Sequence, residues 1–385
     1  MIRPTSTSFG GARRGLWPAA AIVTTGTLAA MAVSAAPAGA ATAAAHPHGY
    51  RQINLVSDQP GKAGLTDPDL VNAWGLAASP GTNAKPGSPL WVADNGTDKA
   101  TLYAGKSATS VTKVPLVVSV TGAAPTGQVF NTDSSGFNVR DNQGHKAAAV
   151  FLFDTENGTI DGWNPSVGAG GDVTEVARNN GANAVYKGLA MGTTASGRTL
   201  LYATNFRSGR VEAYNTRFQP VELHGGLFVD RRLPAGYAPF GIAEIRGLLY
   251  VTFAKQDARL EDDVAGRGHG FVDVFTNTGR LVRRLITRGA LDSPWGLALA
   301  PGGFGRFSHD LLVGNFGNGH INVYNPKTGA HLGQLRRANG RPIVIDGLWG
   351  LRFGNGNAAK TSELVFSAGP DDESHGLLGK IVARS

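Results

Sequence analysis

Ser293-Pro294-Trp295-Gly296-Leu297-Ala298 is the fullest copy of a segment that recurs along the chain. Its other copies are Ala73-Trp74-Gly75-Leu76-Ala77, Pro125-Thr126-Gly127-Gln128-Val129, Lys187-Gly188-Leu189-Ala190, Pro239-Phe240-Gly241-Ile242-Ala243 and Leu348-Trp349-Gly350-Leu351. The shared glycines fall at 75, 127, 188, 241, 296 and 350, at intervals of 52, 61, 53, 55 and 54 residues. Self-similarity at this period marks a repeat architecture, one supersecondary unit per repeat. A second apolar run follows each segment, for example Leu90 to Asp94 and Leu311 to Asn315, and then a turn and a third run. In four units the turn glycine (Gly158, Gly209, Gly270, Gly319) stands five residues before an aromatic residue (Trp163, Tyr214, Phe275, Tyr324). Asn157-Gly158 and Asn318-Gly319 are dipeptides suited to tight hairpins. Fourth runs, such as Val114 to Val118 and Leu281 to Ile286, complete one antiparallel sheet per unit.

Six such sheets in a ring bury each other's faces and leave only short edges, so the pattern predicts an all-β, six-bladed β-propeller of four-stranded antiparallel blades. Glycine fits the innermost strands because they converge where a side chain would collide with a neighbour. The last unit has only three clear runs, and Gln52-Ile53-Asn54-Leu55-Val56 precedes the first unit without a partner. This N-terminal strand is expected to close the ring as the outer strand of the last blade. The propeller would then occupy residues 50–385, after a secretory signal at 1–40 and a disordered segment at 41–49.

The signal reading comes from composition. Residues 1–14 hold Arg3, Arg13 and Arg14 and no acid, residues 16–36 are rich in apolar side chains, and Ala38-Gly39-Ala40 offers a small-x-small cleavage pattern. The alternative is an uncleaved anchor. Arg13-Arg14 opens the twin-arginine route beside Sec. Without the leader the chain has 33 basic and 28 acidic groups. It is read as a secreted monomer with no membrane span in its mature part and, for want of a dense basic patch or nucleic-acid motif, no nucleic-acid partner. The 385 residues include no cysteine, which excludes disulfides, thiolate metal sites, a cysteine nucleophile and a lipoprotein anchor.

Ser293-Pro294-Trp295-Gly296-Leu297-Ala298, Leu311-Leu312-Val313-Gly314-Asn315-Phe316-Gly317-Asn318-Gly319 and Ser367-Ala368-Gly369-Pro370-Asp371-Asp372 together resemble an uncharacterised family of exported bacterial β-propeller proteins. Pro239-Phe240-Gly241-Ile242-Ala243 with Leu249-Tyr250-Val251 is more distantly similar to the NHL-type repeat, and Tyr202-Ala203-Thr204-Asn205 to the YVTN-type repeat. These likenesses imply a fold and leave function to the site.

Three constellations are candidates. Asp94, Asp154, Asn205 and Asn315 occupy equivalent ends of second strands, as a ring of oxygen ligands for a divalent cation such as calcium or as caps of their own turns. The loop from Phe253 to Gly270 spans 17 residues, against four from Asn205 to Gly209 or Asn315 to Gly319, and it carries Asp257, Asp262 and Asp263. With the matching loop Gly369–Gly376, which contains Asp371 and Asp372, it could floor a site for a cation or cationic ligand, or be a solvated surface. Trp74, Trp295 and Trp349 precede three of the repeat glycines, either to stack on a sugar or planar ligand at the channel mouth or to pack between blades. The chain has no G-x-S-x-G, H-E-x-x-H, P-loop or C-x-x-C motif. Two functions stay open: a module binding a small molecule, glycan or protein, and a metal-dependent hydrolase or lactonase of the NHL-like type.

Overall fold

The six repeat segments form the six innermost strands of a ring. In the computed structural model these are Ala73–Ala77, Pro125–Phe130, Tyr186–Thr193, Tyr237–Ile245, Pro294–Leu299 and Leu348–Phe353, which begin blades one to six. The structure describes residues 49–384 except 83–84, 121–123, 169–171, 173, 179–182 and 223–226. The signal segment 1–40 and most of 41–49 lie outside the described residues. No α-helix occurs among the described residues; two short 3-10 turns, Asn95–Thr97 and Gly305–Phe307, are the nearest to one.

Blades one, four and five each have four strands in simple up-and-down order. Blade two also has four, with an extra hairpin, Asn138–Arg140 paired with Lys146–Ala148, inserted between its first two strands. That insertion accounts for the 61-residue interval. Blade three departs from the expected four, with three strands among the described residues. Blade six is completed by Tyr50–Ser57, which pairs antiparallel with Leu377–Ala383 from Tyr50↔Ala383 to Ser57↔Leu377. The ring therefore closes through the N-terminal strand, as the unpartnered run at Gln52–Val56 implied. Tyr50 adds a buried hydrogen bond from its hydroxyl to the Phe304 carbonyl at 2.9 Å.

The hub explains the glycines more specifically than crowding at an axis does. A Cβ on Gly75 would lie under 3.0 Å from the Thr126 carbonyl oxygen, one on Gly127 as close to the Leu189 nitrogen, and those on Gly188, Gly241, Gly296 and Gly350 as close to the carbonyls of Phe240, Trp295, Trp349 and Trp74. Each glycine thus touches the backbone of the next inner strand, and the contacts run once around the ring. Backbone cannot swing aside as a side chain can, so every hub position excludes even a methyl group.

Six apolar layers fill the blade interfaces. Leu152, Tyr186 and Leu201 lie in the layer between blades two and three, and Leu312, Leu348 and Phe366 in that between five and six. A seventh cluster sits on the axis: Trp74, Phe240 and Trp349 with the half-buried Trp295 and Phe316.

Candidate functional site

The first residue of an inner strand pairs with the last of the second strand, as in Ala73↔Asp94, Tyr186↔Asn205 and Pro294↔Asn315. Residues just before the hub glycines therefore lie toward the face that carries the second-to-third-strand loops. That ring reads Trp74, Thr126, Lys187, Phe240, Trp295, Trp349. Trp74 and Trp349 stack at 3.5 Å between ring centroids, Phe316 stacks on Trp349 at 3.9 Å, and Trp295 meets both other tryptophans edge-on. The tryptophans thus pack on one another, instead of lining an open mouth or filling a blade interface. Trp74 and Trp349 are each 1% exposed and have no free face for a ligand; they form the floor on which the site is built.

Lys187 is the single cation of this ring. Its Nζ lies 5.3 Å from the centroid of the Trp74 ring, an ammonium held over an aromatic face. Carboxylates from two other blades close over it: Glu156 after the second strand of blade two, and Asp262 from the long loop of blade four, at 3.2 Å. The Lys187 side chain is 3% exposed. Burial disfavours its charge, but Glu156 and Asp262 outweigh that and the ammonium's pKa is raised.

Glu373, from the blade-six loop, faces the same cluster. Burial first, then the charges of Glu156, Asp262 and Asp263, raise its carboxyl to about 7 against the pull of Lys187. Asp263 is raised to about 6, again by burial, opposed by Ser293 and Lys187. Asparagines tie the loops together: Asn72 donates to Glu373 Oε2 at 3.3 Å and to Asn95 Oδ1 at 3.0 Å, and Asn95 donates to Glu156 Oε2 at 3.1 Å. Trp349 Nε1 donates to Asn72 Oδ1 at 3.1 Å, and Trp295 Nε1 to the Lys187 carbonyl at 2.7 Å, so the floor positions the polar groups above it.

Two loops pay backbone and charge costs to reach this place. Asp371, Asp372 and Glu373 have φ of 57°, 52° and 64°, three successive non-glycine residues in the left-handed region, at about 1–2 kcal/mol each. The turn is held by Asp371 N–H donating to Asp346 Oδ2 at 2.9 Å and by Asp58, which accepts from Gly376 N–H at 2.9 Å and contacts His375 Nδ1 at 2.7 Å. Strain of this kind persists where surrounding structure enforces it, often at ligand clamps. The blade-four loop is pinned across blade three by Gln256 Nε2, which donates to the Phe206 carbonyl at 2.7 Å, and by the Arg207–Glu261 ion pair.

Of the residues singled out from sequence, Asp262 and Asp263 reach the mouth. Asp257 instead caps its own loop, accepting from the backbone of Arg259, Glu261 and Asp262. Asp371 and Asp372 are exposed on the outside of the strained turn, and their neighbour Glu373 turns inward. Asp94, Asp154, Asn205 and Asn315 are all fully buried within their blades. Asp154 accepts from Thr126 and the Gly127 N–H, Asn205 from the Ser208 N–H, and Asn315 donates to the Ala290 carbonyl. Asp94 lies beside Thr101, and burial pushes its carboxyl well above the usual carboxylate range. Among the described residues no group of three or more His, Asp or Glu is arranged to hold a metal ion.

Glu156, Lys187, Glu373, Asn72 and Asn95 were not singled out from sequence. Only Lys187 left a plain signal, as the one charged residue at the position before a hub glycine.

No family model matches the chain. It is 31% identical over 338 residues to Uncharacterized protein R648 of Acanthamoeba polyphaga mimivirus, covering 85% of this chain and 78% of the viral protein. It is also 31% identical over 339 residues to Uncharacterized protein L690 of the same virus, covering 85% and 84%. Among solved structures, a protein of unknown function from Bacteroides thetaiotaomicron superposes with a TM-score of 0.51 at 11% identity, covering 87% of this chain and 76% of that one. That likeness is one of fold alone. The sequence relatives are viral, so they lend no support to the bacterial and exported character implied by the earlier resemblance.

Proposed function

The chain belongs to the same family as R648 and L690 of Acanthamoeba polyphaga mimivirus, and we propose that it is a binding module whose loop-bearing face captures a cationic, amine-bearing ligand at the Lys187 mouth. The observation that carries this reading is the convergence of Glu156, Asp262, Asp263 and Glu373, from three blades, on a single buried lysine. Carboxyls outnumber the cation, and a low-dielectric floor strengthens what charge remains. Export by Sec or the twin-arginine route belongs to the same proposal and rests on the composition of residues 1–40.

Spermidine is a suitable probe because its charge is constant across neutral pH. A bound cation favours the ionised form of Glu373, so binding below its pKa must expel a proton. Affinity is expected to rise about tenfold from pH 6 to pH 8, the change in ionised fraction of one group titrating at about 7. Calorimetry in buffers of different ionisation enthalpy will read the released proton, and Glu373→Gln will flatten the pH dependence. No binding heat, or an affinity indifferent to pH, contradicts the reading.

A hydrolase is the second reading, favoured by the Glu373 carboxyl, which titrates near neutrality beside other carboxylates, the pairing that supplies a general acid and a general base. On this reading the full chain opens δ-valerolactone and Glu373→Gln slows turnover by about 100-fold. No turnover, with or without added calcium, leaves binding as the function.

A further inference from the structure

Arginines that look scattered along the sequence are gathered by the fold. From Arg267 to Arg341 the chain holds ten Lys and Arg against three Asp and no Glu, an excess of positive charge that nearly accounts for the formal +8 of the whole chain. This segment builds the two outer strands of blade four and all four of blade five, and between the outer parts of these blades lies a cleft of about 820 Å³. That volume falls within the range of about 300–1,000 Å³ that small-molecule sites occupy. Leu285, Ile286 and Tyr324, buried in the layer between the two blades, form its floor. Three exposed arginines border it: Arg267 from the long loop of blade four, Arg288 after that blade's outer strand, and Arg336 after the outer strand of blade five.

Elsewhere arginines are paired with acids, as Arg207, Arg259 and Arg284 are with Glu261, Asp262 and Asp230. Arg267, Arg288 and Arg336 have no carboxylate partner among the described residues. Two of them are nevertheless held in place. The Arg288 guanidinium lies 5.6 Å from the Tyr237 ring centroid and 5.3 Å from that of Phe271, and its Nη1 donates to the Tyr237 hydroxyl at 3.4 Å and the Gly268 carbonyl at 3.5 Å. Arg336 Nη1 donates to the Gly340 carbonyl at 2.8 Å. Nε and Nη2 of both make no hydrogen bond to the described residues, which leaves the fork that pairs with oxyanions open. His320 and His331 also line the cleft. Burial and then the charge of Arg336 lower the pKa of His320, and the opposing pull of Asp292 is weaker. Asp292 is itself occupied, accepting from the Gly266 N–H at 2.7 Å and from Asn318 Nδ2 at 3.1 Å. The cleft therefore keeps a positive potential, which concave walls of one sign concentrate.

We propose that the cleft between blades four and five binds a compact polyanion carrying phosphate or sulfate groups. Guanidiniums on three separate segments are met together by a ligand with several anionic oxygens, which a tetrahedral oxyanion presents. The acidic groups around Lys187 disfavour the same ligand at the mouth, so this site is independent of that one.

The test titrates the full chain at low ionic strength with tripolyphosphate and, separately, with a trisulfated heparin disaccharide. At least one probe is expected to bind with one-to-one stoichiometry and to shift the imidazole resonances of His320 and His331, and the tighter of the two identifies phosphate or sulfate as the group recognised. Arg288→Gln and Arg336→Gln are each expected to weaken binding about tenfold, the effect of losing one charge-assisted partner. Arg231→Gln, which removes an exposed arginine outside the cleft, is expected to leave the affinity unchanged. Binding of neither probe, shifts confined to other histidines, a loss in Arg231→Gln equal to the losses in the cleft, or affinity only for long heparin chains would overturn the proposal. The histidine shifts of the unmodified chain need no variant and stand even if a substitution disturbs the fold.

Discussion

Gly241→Ala is expected to destabilise the protein by about 3 kcal/mol, lowering its melting temperature by roughly 4 °C. The added methyl would meet the Trp295 carbonyl and main chain of the next inner strand, and no rotamer relieves a clash with backbone. The backbone of Gly241 does not require positive φ, so ordinary glycine reasoning gives the opposite sign: alanine would stabilise by about 0.4–1 kcal/mol by restricting the unfolded chain. Gly64→Ala is the control. Its nearest neighbour is 3.8 Å away, and a change within about 0.5 kcal/mol is expected in thermal unfolding. A neutral Gly241→Ala would mean that the hub is looser than the six contacts make it.

Lys187→Met is expected to cost about 1.5–3 kcal/mol at pH 7, the usual loss of charge-assisted hydrogen bonds, because Glu156 and Asp262 are 28% and 56% exposed and water can take up their charge. Methionine preserves the length and apolar stem of lysine, so the loss reports charge more than packing. The pH dependence separates the two. The raised pKa of Lys187 means that its contribution is complete below the ordinary lysine value of 10.5 and is lost only as pH rises through the folded value, so across pH 5–8 the unmodified lysine contributes throughout. Glu373 and Asp263 behave differently. Their folded values of about 7 and about 6 exceed the ordinary 4.5 and 3.8, so the folded protein binds more protons and loses stability as pH rises from about 4 to about 7. Without Lys187 those carboxyls should ionise less readily, and the deficit of the variant should shrink at pH 5. Chemical denaturation at pH 5 and pH 8 measures this; an equal deficit at both pH values would assign Lys187 a packing role alone.

The hub was open to sequence reading because its demand is local and steric: one backbone position per blade that tolerates no Cβ, repeated at a nearly fixed interval. The closing strand was legible for a related reason, since a run with no partner at one end of the repeat series matches a unit one strand short at the other. The 61-residue interval carried the inserted hairpin of blade two in its length, though nothing local marked where the hairpin would lie. Side-chain direction was not legible. The same spacing put Trp74, Trp295 and Trp349 before their glycines whether they lined a mouth, filled blade interfaces or, as found, packed on one another across the axis. The mouth was half visible. Asp262 and Asp263 stood out through the length of their loop, but Glu156 and Glu373 acquire meaning only from loop paths that bring blades two, four and six together over a residue of blade three. The left-handed turn at Asp371–Glu373 shows why: it exposes the two aspartates that looked like ligands and half-buries the glutamate beside them.

The most direct test of the proposed mouth is the titration of the Glu373 side-chain carboxyl carbon by NMR, with and without spermidine. Burial among Glu156, Asp262 and Asp263 predicts a midpoint near 7 that falls when the amine binds. A midpoint near the ordinary 4.5, unmoved by spermidine, would show that the carboxyl is solvated and that the mouth is not the site.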